Sequence, residues 1–316
     1  MSSTLSDIPT PLAPPLGGQG EVADYWALMK PKVMSLVVFS GVVGAVAAPG
    51  AIHPWVAFII TFCIAVAAGA CGALNMAYDA DIDAIMKRTS KRPVPRGALT
   101  KEEAYGFGGF LAVASVLVLG LFTNVVAAAF LAFTIFFYVV VYTMWLKRST
   151  QQNIVIGGAS GAFPPAVAWA AATGGLDAGA IALFLIIFMW TPPHFWALAL
   201  FREGDYGNAG VPMMPNVSGR SETKKQILIY NALLMPTVLL PLVTGIGGWV
   251  YGIGAVALTS KFLWHAIVLY RTTERSVEED KASKKLFGVS IYWLFALLGL
   301  ILIEQLFNLP VFPAWF

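Results

Sequence analysis

Charged side chains are scarce in this chain. Asp, Glu, Lys and Arg together make up 12% of its 316 residues, whereas hydrophobic residues make up 58% and the mean hydropathy is +0.74. Because soluble domains carry about 25% charged residues, this composition excludes an ordinary soluble domain. The formal net charge is only +3, so the chain also lacks the strong positive charge that is typical of nucleic-acid-binding proteins.

Cysteine is almost absent as well. Cys63 and Cys71 are the two cysteines, and both lie in one apolar run. On a helix their spacing separates them by about 12 Å, which is too far for a disulfide bond. We therefore expect both to be packing residues.

Long apolar runs are what the chain has in abundance. Nine windows approach the length of about 20 residues that a helix needs to cross a bilayer. They cover residues 33–49, 54–77, 104–122, 125–146, 154–173, 180–201, 226–247, 250–270 and 287–307. The sequence predicts an all-α polytopic membrane protein, a bundle of nine transmembrane helices around a central cavity.

The first 24 residues differ from the rest because they are rich in Pro, Gly and Ser and have no long apolar core. They contain no Arg, and this composition predicts a disordered cytoplasmic tail rather than a signal or transit peptide. We expect a single transmembrane domain over residues 25–316.

Lys and Arg are missing from every second loop. All 20 of them except Lys261 lie before the first span or after the second, fourth, sixth and eighth spans. Cationic loops stay on the cytoplasmic side, so this alternation predicts a cytoplasmic N-terminus. The longer loops, near residues 78–103, 202–225 and 271–286, then share the cytoplasmic side, where we expect the active site.

Three polar residues end the second apolar run at intervals of four: Asn75, Asp79 and Asp83. Residues four apart lie on one face of a helix, so their oxygen atoms form a ladder about 12 Å long, whereas Asp81 points elsewhere. Five cations follow directly: Lys87, Arg88, Lys91, Arg92 and Arg96. Two carboxylates beside such a cluster suit a diphosphate that Mg²⁺ bridges to the acids and that the cations bind. An ordinary solvated helix end is the alternative.

This segment resembles the first signature of the UbiA superfamily of intramembrane prenyltransferases, Asn75-x-x-x-Asp79-x-x-x-Asp83 followed by Arg88-Thr and Arg92-Pro. Segments 142–150, 153–165 and 190–202 are similar to the branch of the superfamily that farnesylates heme. The resemblance covers about residues 25–307. It implies a bacterial inner-membrane enzyme that transfers a farnesyl group from farnesyl diphosphate to a vinyl group of protoheme IX, giving heme O and diphosphate.

The resemblance also implies roles for individual residues. Asn75, Asp79 and Asp83 are expected to hold Mg²⁺. Diphosphate contacts are implied for five residues: Arg88, Arg92, Lys147, Arg148 and Asn153. Asp79, Asp83, Arg88 and His194 are expected to be catalytic. The implied partners are the two substrates, the lipid bilayer and downstream heme or oxidase assembly proteins, with no nucleic acid.

One position departs from the wider superfamily. Many relatives carry a second Asp-rich ladder after the sixth span, whereas this chain has His194 and Phe201 there, with Glu203 and Asp205 beyond. Glu203 and Asp205 are either further metal ligands or part of a solvated loop. His194 either contacts heme iron or carries a proton, or it is a hydrogen-bonded structural histidine.

Other interpretations stay open at this point. The chain is also compatible with a superfamily relative that prenylates a quinone precursor or another aromatic ring. A transporter, or a heme-binding assembly protein, is a more distant alternative, because transporters usually place ionisable groups near the membrane midplane. Lys261 and His265 share a face of the eighth span, where Lys261 either has a function or extends to the membrane interface.

Overall fold

A computed structural model of the protein describes residues 20–315. Within that range the chain is helical between its loops, with one isolated antiparallel bridge that joins Gly248 and Val311. In chain order the α-helices are α1 (Val22–Leu28), α2 (Pro31–Ala47), α3 (Pro54–Tyr78), α4 (Ala80–Ile85), α5 (Lys101–Phe122), α6 (Val125–Phe136), α7 (Lys147–Ser149), α8 (Asn153–Gly157), α9 (Ala159–Thr173), α10 (Ala178–Phe201), α11 (Glu203–Asn208), α12 (Met214–Thr237), α13 (Leu240–Val243), α14 (Trp249–Tyr270) and α15 (Val277–Leu306). A π-helix, Phe137–Leu146, connects α6 to α7. The predicted all-α fold is confirmed.

Eight helical segments of the described chain are long and apolar enough to cross a membrane. They are Pro54–Tyr78, Lys101–Phe122, Val125–Ser149, Asn153–Thr173, Ala178–Phe201, Met214–Val243, Trp249–Tyr270 and Val277–Leu306. The first predicted span corresponds to α2, which meets the same criteria only together with α1, across a bend of 54°. The prediction of nine spans therefore holds when this bent pair counts as one.

Folded structure begins earlier than the predicted boundary at residue 25. Residues 1–19 of the predicted tail lie outside the described residues, but residues 22–24 already belong to α1. A capping box between Glu21 and Asp24 starts this helix, and buried Asp24 forms an ion pair with Arg96. That partner is 72 residues away along the chain, so local composition did not reveal it.

Two of the predicted cytoplasmic loops are largely helical, which corrects their boundaries. Helix α12 starts at Met214 rather than near residue 226, with a break at Gly219 where φ is 83°, and α15 starts at Val277 rather than near residue 287. The reason is that polar residues of the added turns have buried partners. We call these residues, Glu203, Arg220, Lys224 and Glu279, the α12–α15 ion cluster.

Glu279 is the centre of this cluster and is fully buried. Its Oε2 accepts a hydrogen bond of 2.8 Å from Arg220 Nε, and Lys224 Nζ lies 3.1 Å from its Oε1. Arg220 also pairs with Glu203 and donates to the Leu200 carbonyl at 3.0 Å. These contacts join α10, α11, α12 and α15 at one end of the bundle.

The helices close into a bundle. Neighbours in sequence pack together, as α3 with α5 and α14 with α15, and α15 also packs against α2. The rings of Phe39 on α2 and Phe295 on α15 stack at 4.1 Å between centroids. Segment Asn153–Thr173 is 72% buried over its apolar window, against 17% for Lys101–Phe122. Helix α9 is therefore an interior element, whereas α5 presents its apolar side chains outward, as a lipid-facing helix does.

Candidate active site

The acidic ladder keeps its four-residue step although the helix breaks at Asp79, between α3 and α4. Backbone N–H groups of Asp79 and Asp83 donate to the carbonyls of Asn75 and Asp79 at 2.9 and 2.8 Å. All three side chains are buried, and Asn75 Nδ2 donates to Asp79 Oδ2 at 2.7 Å. The ladder therefore faces the interior of the bundle, as its spacing predicts, and not the lipid.

Cations from two other parts of the chain surround the deep end of the ladder. Lys147 forms an ion pair with Asp79, and Arg148 Nη2 lies 3.4 Å from Asp79 Oδ1. Lys30 Nζ donates to Asn75 Oδ1 at 2.6 Å. Lys30 has a φ of 52°, in the left-handed region that favours glycine, and this turn between α1 and α2 brings its side chain to the site.

The π-helix sets the position of the opposing residues. Its wider turns are rare in proteins and concentrate at functional sites. Thr143 on this element accepts a hydrogen bond of 3.1 Å from Asn75 Nδ2, and Lys147 follows four residues later beside Asp79. The four-residue step of α3 is thus matched by a four-residue step on the opposing span.

Asp83 lies at the end of the ladder next to the loop that carries Arg92, and only some of its oxygen atoms have hydrogen-bond partners. Arg92 Nη1 donates to its Oδ2 at 2.6 Å, and its backbone carbonyl accepts from Thr89 Oγ1 at 2.9 Å. Its Oδ1 is buried and has no hydrogen-bond partner. A buried carboxylate oxygen without a partner is energetically costly, so it marks a position where a cation would be stabilised.

Asp81 points away from the ladder, as its position on the helix predicts. Its half-exposed carboxylate accepts two hydrogen bonds of 2.7 Å from Arg148. These bonds lower the pKa of Asp81 to about 2, so the carboxylate stays ionised at neutral pH. Arg148 therefore bridges Asp81 and Asp79 and remains at the rim of the site.

Arg88 lies on the exposed side of the same loop, within electrostatic range of the Tyr206 hydroxyl. Tyr206 belongs to α11 and is buried, and burial raises the pKa of its phenol above the usual value. The phenol thus stays protonated, and its oxygen is able to accept from a guanidinium group. This proximity brings the loop after the second span next to the segment after the sixth span.

Asn153 is placed differently from the other predicted diphosphate residues. Its side chain is fully buried, and its Nδ2 donates to the carbonyls of Thr150 at 2.6 Å and Pro212 at 3.3 Å. Its Oδ1 has no partner. Asn153 thus ties α8 to the segment that follows α11 and supports the wall of the site.

Glu203 and Asp205 do not join the acidic ladder. Glu203 pairs with Arg220, and Asp205 lies 3.7 Å from Arg202. Within residues 20–315 no group of three or more His, Cys, Asp or Glu side chains has the geometry to hold a metal ion. The ladder is not such a group, because its three side chains are two carboxylates and an amide. The placement of Glu203 favours a structural role over metal binding.

His194 is held firmly inside the bundle. Its ring stacks on Trp190 and Phe287, with centroid distances of 4.4 and 4.6 Å. Its Nδ1 lies 2.6 Å from Ser290 Oγ, and the same hydroxyl lies within hydrogen-bond distance of the Phe287 carbonyl. When the hydroxyl donates to that carbonyl, Ser290 accepts from Nδ1–H, and the neutral ring carries its lone pair on Nε2. The hydrogen bond to Ser290 fits the interpretation of His194 as a structural histidine. A free Nε2 leaves open the interpretation that His194 contacts heme iron or carries a proton.

Aromatic side chains adjoin the ladder. The rings of Tyr138 and Tyr142 lie 5.4 Å apart on the π-helix, and Tyr142 is within electrostatic range of Asp79 and Arg88. Tyr142 packs against Gly157 so closely that a Cβ at residue 157 would lie 2.1 Å from the ring. Only glycine at this position leaves room for the tyrosine.

Sequence reasoning missed three contributors: Lys30, Thr143 and Tyr206. Lys30 and Thr143 reach Asn75 across 45 and 68 residues of chain, and no local spacing encodes such contacts. Tyr206 stands beside the predicted Asp205, and an aromatic residue among the acids of a polar loop is the one signal that was available.

Comparisons with known proteins identify the family of the chain. The UbiA prenyltransferase family matches residues 36–291. A protoheme IX farnesyltransferase from Parvibaculum lavamentivorans is 57% identical over 295 residues, covering 93% of this chain and 92% of that protein. A protoheme IX farnesyltransferase from Azorhizobium caulinodans is 56% identical over 289 residues, covering 92% and 94%.

Solved structures show the same fold at low sequence identity. A digeranylgeranylglyceryl phosphate synthase has a TM-score of 0.73 at 18% identity, covering 90% of this chain and 98% of that one. A UbiA homolog from Archaeoglobus fulgidus bound to DMAPP and Mg²⁺ has a TM-score of 0.68 at 15% identity, covering 89% and 99%. The family match over residues 36–291 and the relatives at 56–57% identity establish that the chain belongs to the UbiA prenyltransferase family.

Proposed function

We propose that this protein transfers the farnesyl group of farnesyl diphosphate to a vinyl group of protoheme IX, giving heme O and diphosphate. The observation that carries prenyl transfer is a pair of buried carboxylates, Asp79 and Asp83, enclosed by a larger number of cations. The choice of acceptor rests on the relatives named protoheme IX farnesyltransferase, which match this chain over more than nine tenths of its length.

Diphosphate binding falls to the cations at the rim of the ladder. Arg92, Lys147 and Arg148 pair with the carboxylates, and Arg88 is exposed beside them. Guanidinium groups bind phosphate oxygens in a forked geometry, and an ammonium adds a compact charge. When the diphosphate arrives, these side chains exchange carboxylate partners for phosphate partners with small movements.

Magnesium fits the ladder on chemical grounds. Asn75, Asp79 and Asp83 provide the oxygen ligands that Mg²⁺ prefers, and Asp83 Oδ1 has no protein partner. These three residues would hold the ion as the surrounding cations shift to the diphosphate. Mg²⁺ would neutralise charge on the leaving diphosphate, as divalent ions do in phosphoryl and prenyl chemistry.

The residues of the site then act on one bond. The bond between farnesyl C1 and the diphosphate oxygen breaks, and its electron pair leaves with the diphosphate, whose growing charge is stabilised by Arg88, Arg92 and Lys147. Such fixed charges in a poorly solvated site need no reorganisation during the reaction. The allylic cation is shielded from water by the tyrosine rings of the π-helix, whose faces attract positive charge. Electrons of the acceptor vinyl group then form the new carbon–carbon bond, which leaves a cation on the vinyl carbon next to the porphyrin. A water molecule adds to that carbon and releases a proton to solvent, which gives the hydroxyl group of heme O.

His194 is proposed to position the heme acceptor. Stacking on Trp190 and Phe287 fixes its ring plane, and the hydrogen bond to Ser290 leaves Nε2 as the free nitrogen. A neutral imidazole nitrogen of this kind is a common axial ligand of heme iron. The ligand is thereby held at a defined orientation before heme binds.

The setting of the reaction is proposed to be the cytoplasmic side of a bacterial inner membrane. The alternation of Lys and Arg between loops supports this orientation, because cationic loops stay cytoplasmic. Both substrates are amphiphiles, so they reach a site at the membrane boundary from the bilayer.

The test is direct reconstitution. Purified protein, protoheme, farnesyl diphosphate and Mg²⁺ are combined, and the product is identified by mass spectrometry. We expect a farnesylated heme that disappears on chelation of Mg²⁺ and returns when it is restored. A parallel reaction with 4-hydroxybenzoate as acceptor should give no product. Prenylation of 4-hydroxybenzoate instead of heme would reassign the acceptor, and the absence of any prenylated product would refute the proposal.

A further inference from the structure

A groove of about 580 Å³ lies between α14 and α15, on the outside of the bundle. Four basic side chains line it: Lys261, His265, Lys284 and Lys285. Its remaining lining includes Leu258, Val289 and Trp293, which are apolar. Trp293 is buried and fixed by a hydrogen bond of 3.2 Å from its Nε1 to Thr259 Oγ1, so the floor of the groove is rigid.

Most of this positive charge has no partner in the protein. Among residues 20–315, Lys284 alone of the four forms an ion pair, at 2.6 Å with Asp280. Lys261, His265 and Lys285 make no ion pair or hydrogen bond with the described residues, and the two lysines are within electrostatic range of the histidine ring. The two lysines repel each other, and they also repel the histidine whenever it is protonated. An anion between these three side chains would therefore be stabilised.

The groove opens outward and not into the bundle. The side chains of Lys261, Lys285 and Tyr292 are exposed, and each lies on a membrane-spanning segment. Phe287 and Ser290 lie on another side of α15, where they contact His194. The occupant of the groove is therefore separated from the proposed reaction site by the helix itself.

We propose that this groove binds the phosphate of an anionic membrane phospholipid, with Lys261, His265 and Lys285 on the phosphate and the acyl chain along Leu258 and Val289. Basic pockets between transmembrane helices near the membrane surface are suited to such headgroups. Lysine stems lie along apolar surface while their ammonium groups reach the interface, which accounts for Lys261 within a span. The occupant needs both a phosphate and a long apolar chain, and the groove offers complements to both.

The experiment measures phospholipid binding to the full chain in mixed micelles of phosphatidylcholine and phosphatidylglycerol in equal amounts. Native mass spectrometry counts the retained lipids, and titration gives an apparent dissociation constant for phosphatidylglycerol. We expect the unmodified protein to retain phosphatidylglycerol selectively. The double variant Lys261→Gln/Lys285→Gln should bind it about 30-fold more weakly, which is about 1 kcal/mol for each lost cation.

A charge-matched control separates the groove from general surface charge. Lys101→Gln/Lys281→Gln removes two exposed cations outside the groove and should leave the dissociation constant unchanged. Gly288→Leu keeps every cation but fills the groove, since a Cβ at residue 288 meets no atom within 4 Å. This variant should fold normally and lose selective retention, while farnesyl transfer by all variants persists.

Three results would overturn the proposal. Equal retention of phosphatidylcholine and phosphatidylglycerol by the unmodified protein would show that the groove does not recognise the net negative charge of the headgroup. Unchanged binding in Lys261→Gln/Lys285→Gln and in Gly288→Leu would place the lipid elsewhere. Displacement of phosphatidylglycerol by stoichiometric farnesyl diphosphate or by heme, with the same loss in the variants, would assign the groove to a substrate instead.

Discussion

The acidic ladder and the α12–α15 ion cluster are both buried sets of charges at helix ends, but their cations are partnered differently. In the α12–α15 cluster, Glu279 and Glu203 face the buried Arg220 and Lys224, and the exposed Arg275 lies 3.9 Å from Glu203. Both buried cations also donate to backbone carbonyls, those of Leu200 and Thr272. In the ladder, Asp79 and Asp83 face three cations, and a fourth, Lys30, has only the neutral Asn75 as partner.

The difference distinguishes a structural cluster from a binding site. Buried cations that are shared between carboxylates and backbone carbonyls gain little from a further ion, and they fix the helices that carry them. Glu279 Oε1 lacks a hydrogen bond, as Asp83 Oδ1 does, but it lies 3.1 Å from Lys224 Nζ. Lys30, a cation without a carboxylate partner, leaves the ladder able to gain from a polyanion, and Asp83 Oδ1 leaves it able to gain from a metal ion. Substitutions in the two clusters should therefore affect different measured quantities.

The largest effect is expected for Asp83→Asn in the ladder. The amide keeps the shape but removes the charge that would hold Mg²⁺, so heme farnesylation should fall about 10³-fold, the upper range for loss of one preorganised electrostatic contact. Product formed per folded protein, measured by mass spectrometry, checks this. The melting temperature should change little, and a variant that kept its activity would contradict the assignment of the ladder.

Glu279→Gln in the other cluster should show the reverse pattern. It leaves Arg220 and Lys224 buried without their shared carboxylate, which costs about 3 kcal/mol of unfolding free energy. Denaturant titration in detergent measures that loss. The activity of the remaining folded molecules should stay near normal, and a selective loss of activity without loss of stability would erase the contrast between the clusters.

Tyr206→Phe should have a smaller effect, because it removes only one hydroxyl, which lies within electrostatic range of Arg88 and which we expect to hydrogen-bond its guanidinium group. One hydrogen bond to a charged group is worth about 1.5 kcal/mol, so kcat/KM for farnesyl diphosphate should fall about tenfold. Steady-state kinetics with varied diphosphate give this value. Phe201→Leu, outside this contact, serves as the aromatic control, and an equal fall in both variants would argue against a specific role for the hydroxyl.

The smallest effect is expected for Asp280→Asn, a neighbour of Glu279 on the solvent side of α15. Its ion pair with Lys284 is exposed, and such helix pairs contribute only about 0.3–0.5 kcal/mol. Neither the unfolding free energy nor the farnesylation rate should shift beyond that range. A loss of unfolding free energy as large as that of Glu279→Gln would show that burial does not explain why the two ion pairs differ in their contribution to stability.

The sequence predicted the parts of the site that depend on local spacing. Helical periodicity was enough to place Asn75, Asp79 and Asp83 on one face, because residues four apart on a helix are neighbours and these three contact one another. Apolar run length located the spans for a similar reason, because crossing a bilayer depends on local composition. The bend between α1 and α2 is the exception, since it rests on a left-handed Lys30.

Contacts between distant segments were not predictable in this way. The π-helix has no known propensity signature, so the alignment of Thr143 and Lys147 with the ladder appears only in the folded chain. The stacking of Trp190 on His194 was readable, because residues four apart on a helix are neighbours. Phe287, which stacks on the other face of the His194 ring, belongs to α15, almost a hundred residues later in the chain. Ser290 on the same helix is 96 residues from His194. No local pattern predicts these two contacts.

The seam between α2 and α15 has a consequence for biosynthesis. Ribosomes deliver the spans in order, so the residues around Asn75, from Lys30 to Arg148, are all inserted before the second half exists. The stacked pair Phe39 and Phe295 forms only when the final helix arrives. In a nascent chain the contacts around Asn75 therefore become available first, whereas the contact between α2 and α15 forms last. A truncation that removes the end of α15 should accordingly leave the contacts of Asn75 in place and remove the contact that closes the bundle.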